Sequence, residues 1–496
     1  MQRHARPSGG QRAVVAFGAP GSDEACGYTR IRRFPHASSG RRQRPAAKDS
    51  PGQNIETAPE NRCYDLVAQP YDPDEHSFVT TLRHWQYYFN DRYQTYGRSA
   101  RFHVCYGAPI ASTTPETRRA DAAQHEADYD PFATIMRFVE GGYAYDYYDA
   151  MAARGAMAFP RTPPSLDMFQ RHQPLMWAYD TLTEREAQNY ASAVCQTIAP
   201  FPVSFGGNDN IGAPRTYGLI YTTDPRADKL RDLKDQVLPL LEECGVVPAE
   251  EATHPSTGYF ADSQTTPEYA YEAMARFQRE GITTILWVGG NETSFSNAAG
   301  QLNYRPEWVV ASDRSNDGYY TARWQDKTVW QHAWNVTTLT VQGYHWRGTP
   351  CHDAYREVKP DVNDGERPGG ALEMTYACAF YEQLRQLFTA VQVAGPKLTP
   401  QAVDKGFRAI PAHPSSSPRV PACFYEPDDW TCVKDSTAMW WDPAGVLDGE
   451  SGVGCWRSAD GGMRHLPWQW PDTDLLNLKH ADTDPCNGEG RNLSTR

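Results

Sequence analysis

Along the middle of the chain, a helical period and short apolar runs take turns. Over residues 77–96, Phe78, Leu82, Trp85 and Phe89 fall on one face of a helix, and Gly97 stands where a helix closes in a left-handed conformation. A strand is expected at 101–106, a polar helix at 116–128 and a second strand at 132–138. A helix over 143–154, closed by Gly155, leads into a strand at 156–159. A helix near 184–197 and a Gly/Asn-rich segment at 204–212 follow. The cycle then restarts with TYGLIYT at 216–222, an amphipathic helix at 228–244 stopped by Gly245, a helix at 267–280 and a strand at 282–288. A helix at 294–304 and strands at 308–311 and 335–340 complete this series. Strands alternating with helices of roughly 10–15 residues imply βαβ units and parallel sheets. Two series, separated near residue 213, imply two sheets. Downstream, Leu372, Tyr376, Phe380, Leu384, Leu387 and Val391 line one face of a long helix over 371–394. Gly395 and Pro396 end it, and Thr399 caps a short helix at 400–410 with Pro400 in its first turn.

The ends lack this order. Residues 1–58 are rich in Arg, Pro, Gly and Ser and are expected to be disordered or a non-native leader. The basic start, MQRHARPSGGQR, is not followed by the apolar segment of a signal peptide. Residues 446–496 carry Gly, Asp and scattered Trp and are expected to form an irregular tail.

Composition narrows the function. A formal net charge of −13 argues against nucleic acid as a partner, since binding it requires a basic face. No run approaches the ~20 apolar residues of a membrane helix. The 14 Trp and 28 Tyr suit a large aromatic core or an aromatic-lined cleft. The 11 Cys form no CxxC or zinc-spaced cluster, so no metal is expected, and their number suits an oxidising compartment better than free thiols. Cys423 and Cys432 flank a turn that suits a hairpin disulfide, and Cys63 and Cys105 fall near the ends of two candidate neighbouring strands. The sequence does not assign the pairing.

Catalytic signatures are missing. There is no GxSxG, GxxxxGKS, GxGxxG or HExxH, and no cofactor is implied. His84, His254 and His345 stand without a paired nucleophile, and Asp428 and Asp429 lie in a turn. What remains is a set of loops at the carboxyl ends of candidate strands, where open α/β sheets bind ligands. Glu140, Gly141 and Gly142 follow one strand, and Arg161 and Thr162 follow the next, with Arg161 suited to a carboxylate. Gly289, Gly290, Asn291 and Glu292 follow the strand at 282–288, and glycines there let backbone amides approach a ligand. Asp313 follows the strand at 308–311 and could take an ammonium group.

Four stretches carry a family resemblance: YYFNDRYQTYGRSARFHV, YGLIYTTDP, EGITTILWVGGNETSFSNAAGQLNYRPEWVVAS, and the long helix with VAGPKLTPQAVDKGFRAI. From about residue 65 to 441 the chain resembles the type 1 periplasmic binding proteins, the leucine/isoleucine/valine-binding branch of ABC-transporter substrate-binding proteins. The resemblance implies an α/β fold of two Rossmann-like lobes with parallel sheets. The chain would cross between them three times, with the ligand in the cleft. Residues 59–213 would begin the N-lobe and 214–342 form the C-lobe. Residues 343–412 would return to the N-lobe and 413–445 supply C-lobe return strands. The first strand would come from 64–68. Positional transfer implies ligand contacts at Glu140, Gly141, Gly142, Arg161, Thr162, Thr222, Gly289, Gly290, Asn291, Glu292 and Asp313. EGGY stands where the family has a small hydroxyl-rich loop, and Asp224-Pro225 where it has Tyr-Gly. The implied function is an extracytoplasmic, monomeric, non-enzymatic protein that delivers an amino acid, amide or similar solute to an ABC-transporter permease. A sensing receptor of the same fold, a two-Rossmann-domain glycosyltransferase and a paralogue that no longer binds are the alternatives.

Overall fold

The computed structural model describes residues 11–17, 63–66, 77–106, 114–136, 145–160, 163–207, 209–224, 228–255, 265–290, 292–312, 317, 322–338, 349–362, 372–414, 420–446 and 453–476. The N-lobe is built on five strands: β1 (Gln11–Phe17), β2 (Cys63–Asp65), β3 (Ala100–Tyr106), β4 (Ala133–Met136) and β5 (Met157–Phe159). Their order is β2-β3-β1-β4-β5. Helices α1 (Ser77–Arg92), α2 (Pro115–Tyr129), α3 (Tyr145–Ala153) and α4 (Leu166–Arg171) connect and cover them. Two expectations change here. A strand, QRAVVAF, lies inside the first 58 residues and pairs antiparallel with both β3 and β4. Residues 63–65 form an antiparallel edge on β3 instead of opening the fold as its first strand. The N-lobe sheet is therefore mixed, with β4 and β5 its parallel pair.

The chain next enters the C-lobe through α5 (Thr183–Thr197). It continues through β6 (Tyr217–Thr222), α6 (Asp228–Glu243), β7 (Pro248–His254), α7 (Pro267–Arg279) and β8 (Thr284–Val288). Then come α8 (Ser294–Gln301), β9 (Glu307–Ala311), α9 (Lys327–Trp330) and β10 (Ala333–Thr337). The order β7-β6-β8-β9-β10 is parallel throughout. These strands are buried, as their apolar runs predict, except β7: PAEEATH is an edge strand whose charges were not legible as strand. One face packs on α5 and α6 through Tyr190, Val194, Leu233 and Val237, the other on α7 and α8 through Phe277, Trp287, Phe295 and Trp308. Helix α5 thus belongs to the C-lobe, and Tyr190 Oη donates to Val309 O at 2.8 Å. The Gly/Asn-rich segment just before residue 213, where the sequence separates the two series, packs on this lobe, with Gly207 N donating to Arg305 O. Glu307, with no exposure, anchors it: its carboxylate accepts from Ser204 N, Phe205 N, Thr284 Oγ1 and the Arg215 guanidinium.

Three helices return to the N-lobe: α10 (Pro350–Val358), α11 (Leu372–Ala394) and α12 (Pro400–Arg408). The predicted stripe on α11 buries Phe380, Leu384, Leu387 and Val391 in the same core as Phe78, Leu82, Trp85 and Phe89 of α1. Thr399 caps α12 through Ala402 N, as its position before Pro400 predicts. The chain ends in the C-lobe with β11 (Ser436–Val446), β12 (Val453–Ser458) and β13 (Arg464–His465), antiparallel additions beyond β10. The stretch expected to be irregular therefore contains two strands and buries Trp456, Trp470, Leu475 and Leu476. Disulfides join Cys63 to Cys105, Cys195 to Cys244, Cys351 to Cys378 and Cys423 to Cys432. Among the described helices, none is long and apolar enough to cross a membrane.

Candidate functional site

In the C-lobe sheet, β7 lies on one side of β6 and β8 on the other. The order of connection reverses there, and ligands of open α/β sheets bind outside the carboxyl ends of strands at such a point. Thr222 ends β6, is 1% exposed, and accepts from Asp224 N at 3.2 Å. His254 ends β7 and donates from Nε2 to the Gly289 carbonyl at 3.1 Å. Burial lowers the His254 pKa to about 4, partly opposed by Glu292, the Gly289 carbonyl and Asp224, so the ring is neutral near pH 7. Gly289 and Gly290 follow β8 with φ of 114° and 75°. A Cβ on Gly290 would lie 2.4 Å from His254 Cε1. The glycine is therefore required both by its left-handed conformation and by the imidazole packed against it. Trp287 Nε1 donates to Gly290 O at 3.1 Å and completes the hold on this turn.

Glu292 is fully buried, and its two carboxylate oxygens accept from Thr265 N at 2.9 Å and Ser294 N at 2.8 Å. It fastens the entry of α7 to the start of α8, where a negative charge also suits the helix dipole. Beyond β9, Asp317 accepts from Ser312 Oγ at 2.7 Å, Asn335 Nδ2 at 2.9 Å and Thr337 Oγ1 at 2.6 Å. This network knits the carboxyl ends of β9 and β10. Of the residues singled out from sequence, Thr222, Gly289, Gly290 and Glu292 fall at neighbouring strand ends. Glu140, Gly141, Gly142, Arg161, Thr162, Asn291 and Asp313 lie outside the described residues. Asp317 was not among them, and His254 was weighed only as a base, not as part of this site. Polar residues at the ends of strands were the available signal, and only the pairing of β7 with β6 brings His254 to Gly290.

The lobes meet where two chain crossings run side by side. Ala178 N donates to Trp430 O, Val433 N to Tyr179 O, and Thr181 Oγ1 to Val433 O. A charge cluster, buried at Lys434 and Asp429 and partly exposed at Arg185 and Glu426, lies beside them: Lys434 Nζ is 2.5 Å from Asp429 Oδ2, and Arg185 Nη2 is 2.7 Å from Glu426 Oε2. A cavity of about 500 Å³ opens next to these crossings, lined by His413, Phe424, Asp435, Arg464, Leu466 and Gln469 among others. At its base, Arg464 Nε pairs with Asp435 Oδ1 at 2.9 Å, and Arg464 Nη2 donates to Thr338 O at the end of β10. Of the predicted site residues that are described, Thr222, Gly289, Gly290 and Glu292, none lines this cavity. His84, weighed as a base, donates from Nδ1 to Thr80 O inside its own helix.

Two α/β lobes joined by adjacent crossings are the architecture of the type 1 periplasmic-binding-protein fold. Solved structures agree on the fold. A solute-binding protein of an ABC transporter from R. palustris, in complex with 4-hydroxybenzoate, matches with 12% identity and a TM-score of 0.52, covering 80% of this chain and 94% of that one. One from Rhodopseudomonas palustris HaA2, in complex with p-hydroxybenzoic acid, matches with 12% identity and a TM-score of 0.50, with the same coverage of 80% and 94%. No protein-family model matches the sequence, and no curated protein does.

Proposed function

We propose that this chain is an extracytoplasmic solute-binding protein, not an enzyme, that captures a small polar ligand between its lobes and delivers it to the permease of an ABC importer. The observation that carries this reading is the switch point of the C-lobe sheet, where Thr222, Gly289 and Gly290 stand together at strand ends that open α/β sheets use for ligands. The general solute-binding role has support from the two structures of the same fold. The disulfides among the described residues favour an oxidising compartment. On this reading Glu140, Gly141, Gly142, Arg161 and Thr162 contact the ligand from the N-lobe, with Arg161 on a carboxylate. Thr222, Gly289, Gly290, Asn291 and Asp313 contact it from the C-lobe, and Glu292 holds their loop in place. The protein acts as a monomer, and the ligand favours the closed state by touching both lobes.

The ligand is an amino acid, an amide or a similar small polar solute. A second class, aromatic acids, is favoured by the hydroxybenzoates in the two structures of the same fold. A thermal-shift panel of amino acids, amides and hydroxybenzoates tests both. A true ligand at 100 times its Kd stabilises the protein by about 2.7 kcal/mol and raises Tm in a dose-dependent way. A flat response across all three classes would refute the solute-capture reading, and the class that responds identifies the ligand chemistry.

A further inference from the structure

Away from the cleft, one edge of the N-lobe sheet carries chemistry that ligand capture does not use. Strands β2 and β3 pair with Cys63 opposite Cys105 and Asp65 opposite His103. Side chains alternate between the faces of a strand, so these four share one face, while Val104 points into the core on the other. Helix α2 covers the shared face. Its Tyr129 stacks on His103 with ring centroids 4.5 Å apart, and His125, one turn earlier, reaches the disulfide. Ligand atoms of Cys63, Cys105 and His125 all lie within 4.8 Å of one another, the one such group among the described residues. Cys105 is fully buried and His125 is 9% exposed. The Tyr147 hydroxyl lies 2.9 Å from His125 Nδ1 and orients the ring. His103 adds a second imidazole to this face, its Nδ1 buried without a hydrogen-bond partner.

We propose that reduction of the Cys63–Cys105 disulfide creates a binding site for a thiophilic cation, Zn²⁺, with the two thiolates and the His125 imidazole as ligands and water in the fourth position. The reductant is an external dithiol. Its two thiols deliver two electrons and two protons, the Cys63–Cys105 bond breaks, two S–H bonds form, and the dithiol departs as a disulfide. Zn²⁺ then displaces both thiol protons as two Zn–S bonds form, and the His125 imidazole contributes a ring-nitrogen lone pair. Tetrahedral zinc with bonds of about 2.3 Å to sulfur holds two thiolates roughly 3.8 Å apart. The required opening is small against the present spread of the three ligand atoms, and α2 already supplies the imidazole and its orienting hydroxyl.

The test uses the full chain, reduced anaerobically with dithiothreitol, freed of reductant and titrated with Co²⁺ as a spectroscopic probe and Zn²⁺ as its competitor. The expected result is one tight equivalent with thiolate-to-cobalt charge-transfer absorption, displaced by Zn²⁺. Cys105→Ser removes it, and His125→Gln weakens it at least about tenfold. His125→Gln keeps the disulfide, so its oxidised fold is verified by circular dichroism before reduction. The other cysteines are reduced too, which is why the assignment rests on differences between variants. Equal binding and equal spectra in the wild type and both variants, or no tight equivalent in the wild type, overturns the proposal. The outcome is independent of the cleft, because the ligand panel is run on the oxidised protein.

Discussion

His254 shows how a single residue can make this lobe sensitive to pH. In the folded chain its pKa is about 4, because burial disfavours the imidazolium; in the unfolded chain it returns to 6.5. Between those values the unfolded state binds more protons than the folded one. Stability therefore rises with pH across that window, and His254 costs stability progressively as pH falls from 6.5 towards 4. The full effect is on the order of 3 kcal/mol. His254→Gln keeps a donor for the Gly289 carbonyl and cannot titrate. Urea denaturation between pH 4 and 7 should show a flatter stability profile for the variant, and identical slopes would disprove the assignment. At this scale the site was half legible. Two glycines directly after the apolar run ILWV mark a turn that needs positive φ, and Thr222 ends an unmistakable strand. The partners of those residues were not legible. Gly290 is dictated by an imidazole 36 positions earlier in the sequence, and Asp317 is held by Ser312, Asn335 and Thr337 from two different strands.

Among the elements, legibility followed burial and periodicity. Helices α1, α6, α7 and α11 were foreseen because each sets one apolar stripe against a core, and β6, β8 and β9 because strands covered on both faces read as apolar runs. Strand β7 escaped because an edge strand can afford Glu250 and Glu251. Strand β1 escaped because AVVAF is a short run among Arg, Gly and Pro. Close packing of two legible helices was invisible for a different reason. Gly406 in α12 reads as a mere propensity cost, yet a Cβ there would lie 2.1 Å from Ala390 O in α11. The obstacle is backbone, so it cannot rotate away, and the helices would have to separate. Gly406→Ala should therefore destabilise the N-lobe by about 1–3 kcal/mol, although alanine is the better helix former. Chemical denaturation measures this directly; a stabilised variant would show that α11 and α12 do not touch at this point.

Across the whole molecule, the two lobes share a connection in which charge is buried beside apolar side chains such as Trp430 and Val433. Arg185 belongs to the first crossing, at the start of α5; Glu426, Asp429 and Lys434 belong to the last. Burial raises the Asp429 pKa, but Lys434 and the Thr431 donors outweigh it and leave the carboxyl below its usual value. For Lys434 the balance is reversed: burial lowers its pKa more than Asp429 restores it. The pair thus survives because each charge has the other close by, and not because the site favours charge. Removing one partner leaves the other only a longer contact, Lys434 with Glu426 at 3.7 Å or Asp429 with Arg185 at 3.6 Å. Asp429→Ala and Lys434→Met should each cost about 3–5 kcal/mol, and the double variant should cost clearly less than their sum. The expected coupling follows from the 2.5 Å contact between Lys434 Nζ and Asp429 Oδ2 with Lys434 fully buried. Urea titration of the four proteins closes the cycle, and hydrogen exchange at Ala178 and Val433 reports whether the crossings loosen with it. These amides bond across the two crossings, so they should lose protection in the single variants before the lobe cores do. Additive costs with unchanged exchange at both amides would mean that the crossings are held by their backbone ladder alone. Lobe closure would then pivot on hydrogen bonds between main chains, with the ion pair a bystander to the hinge.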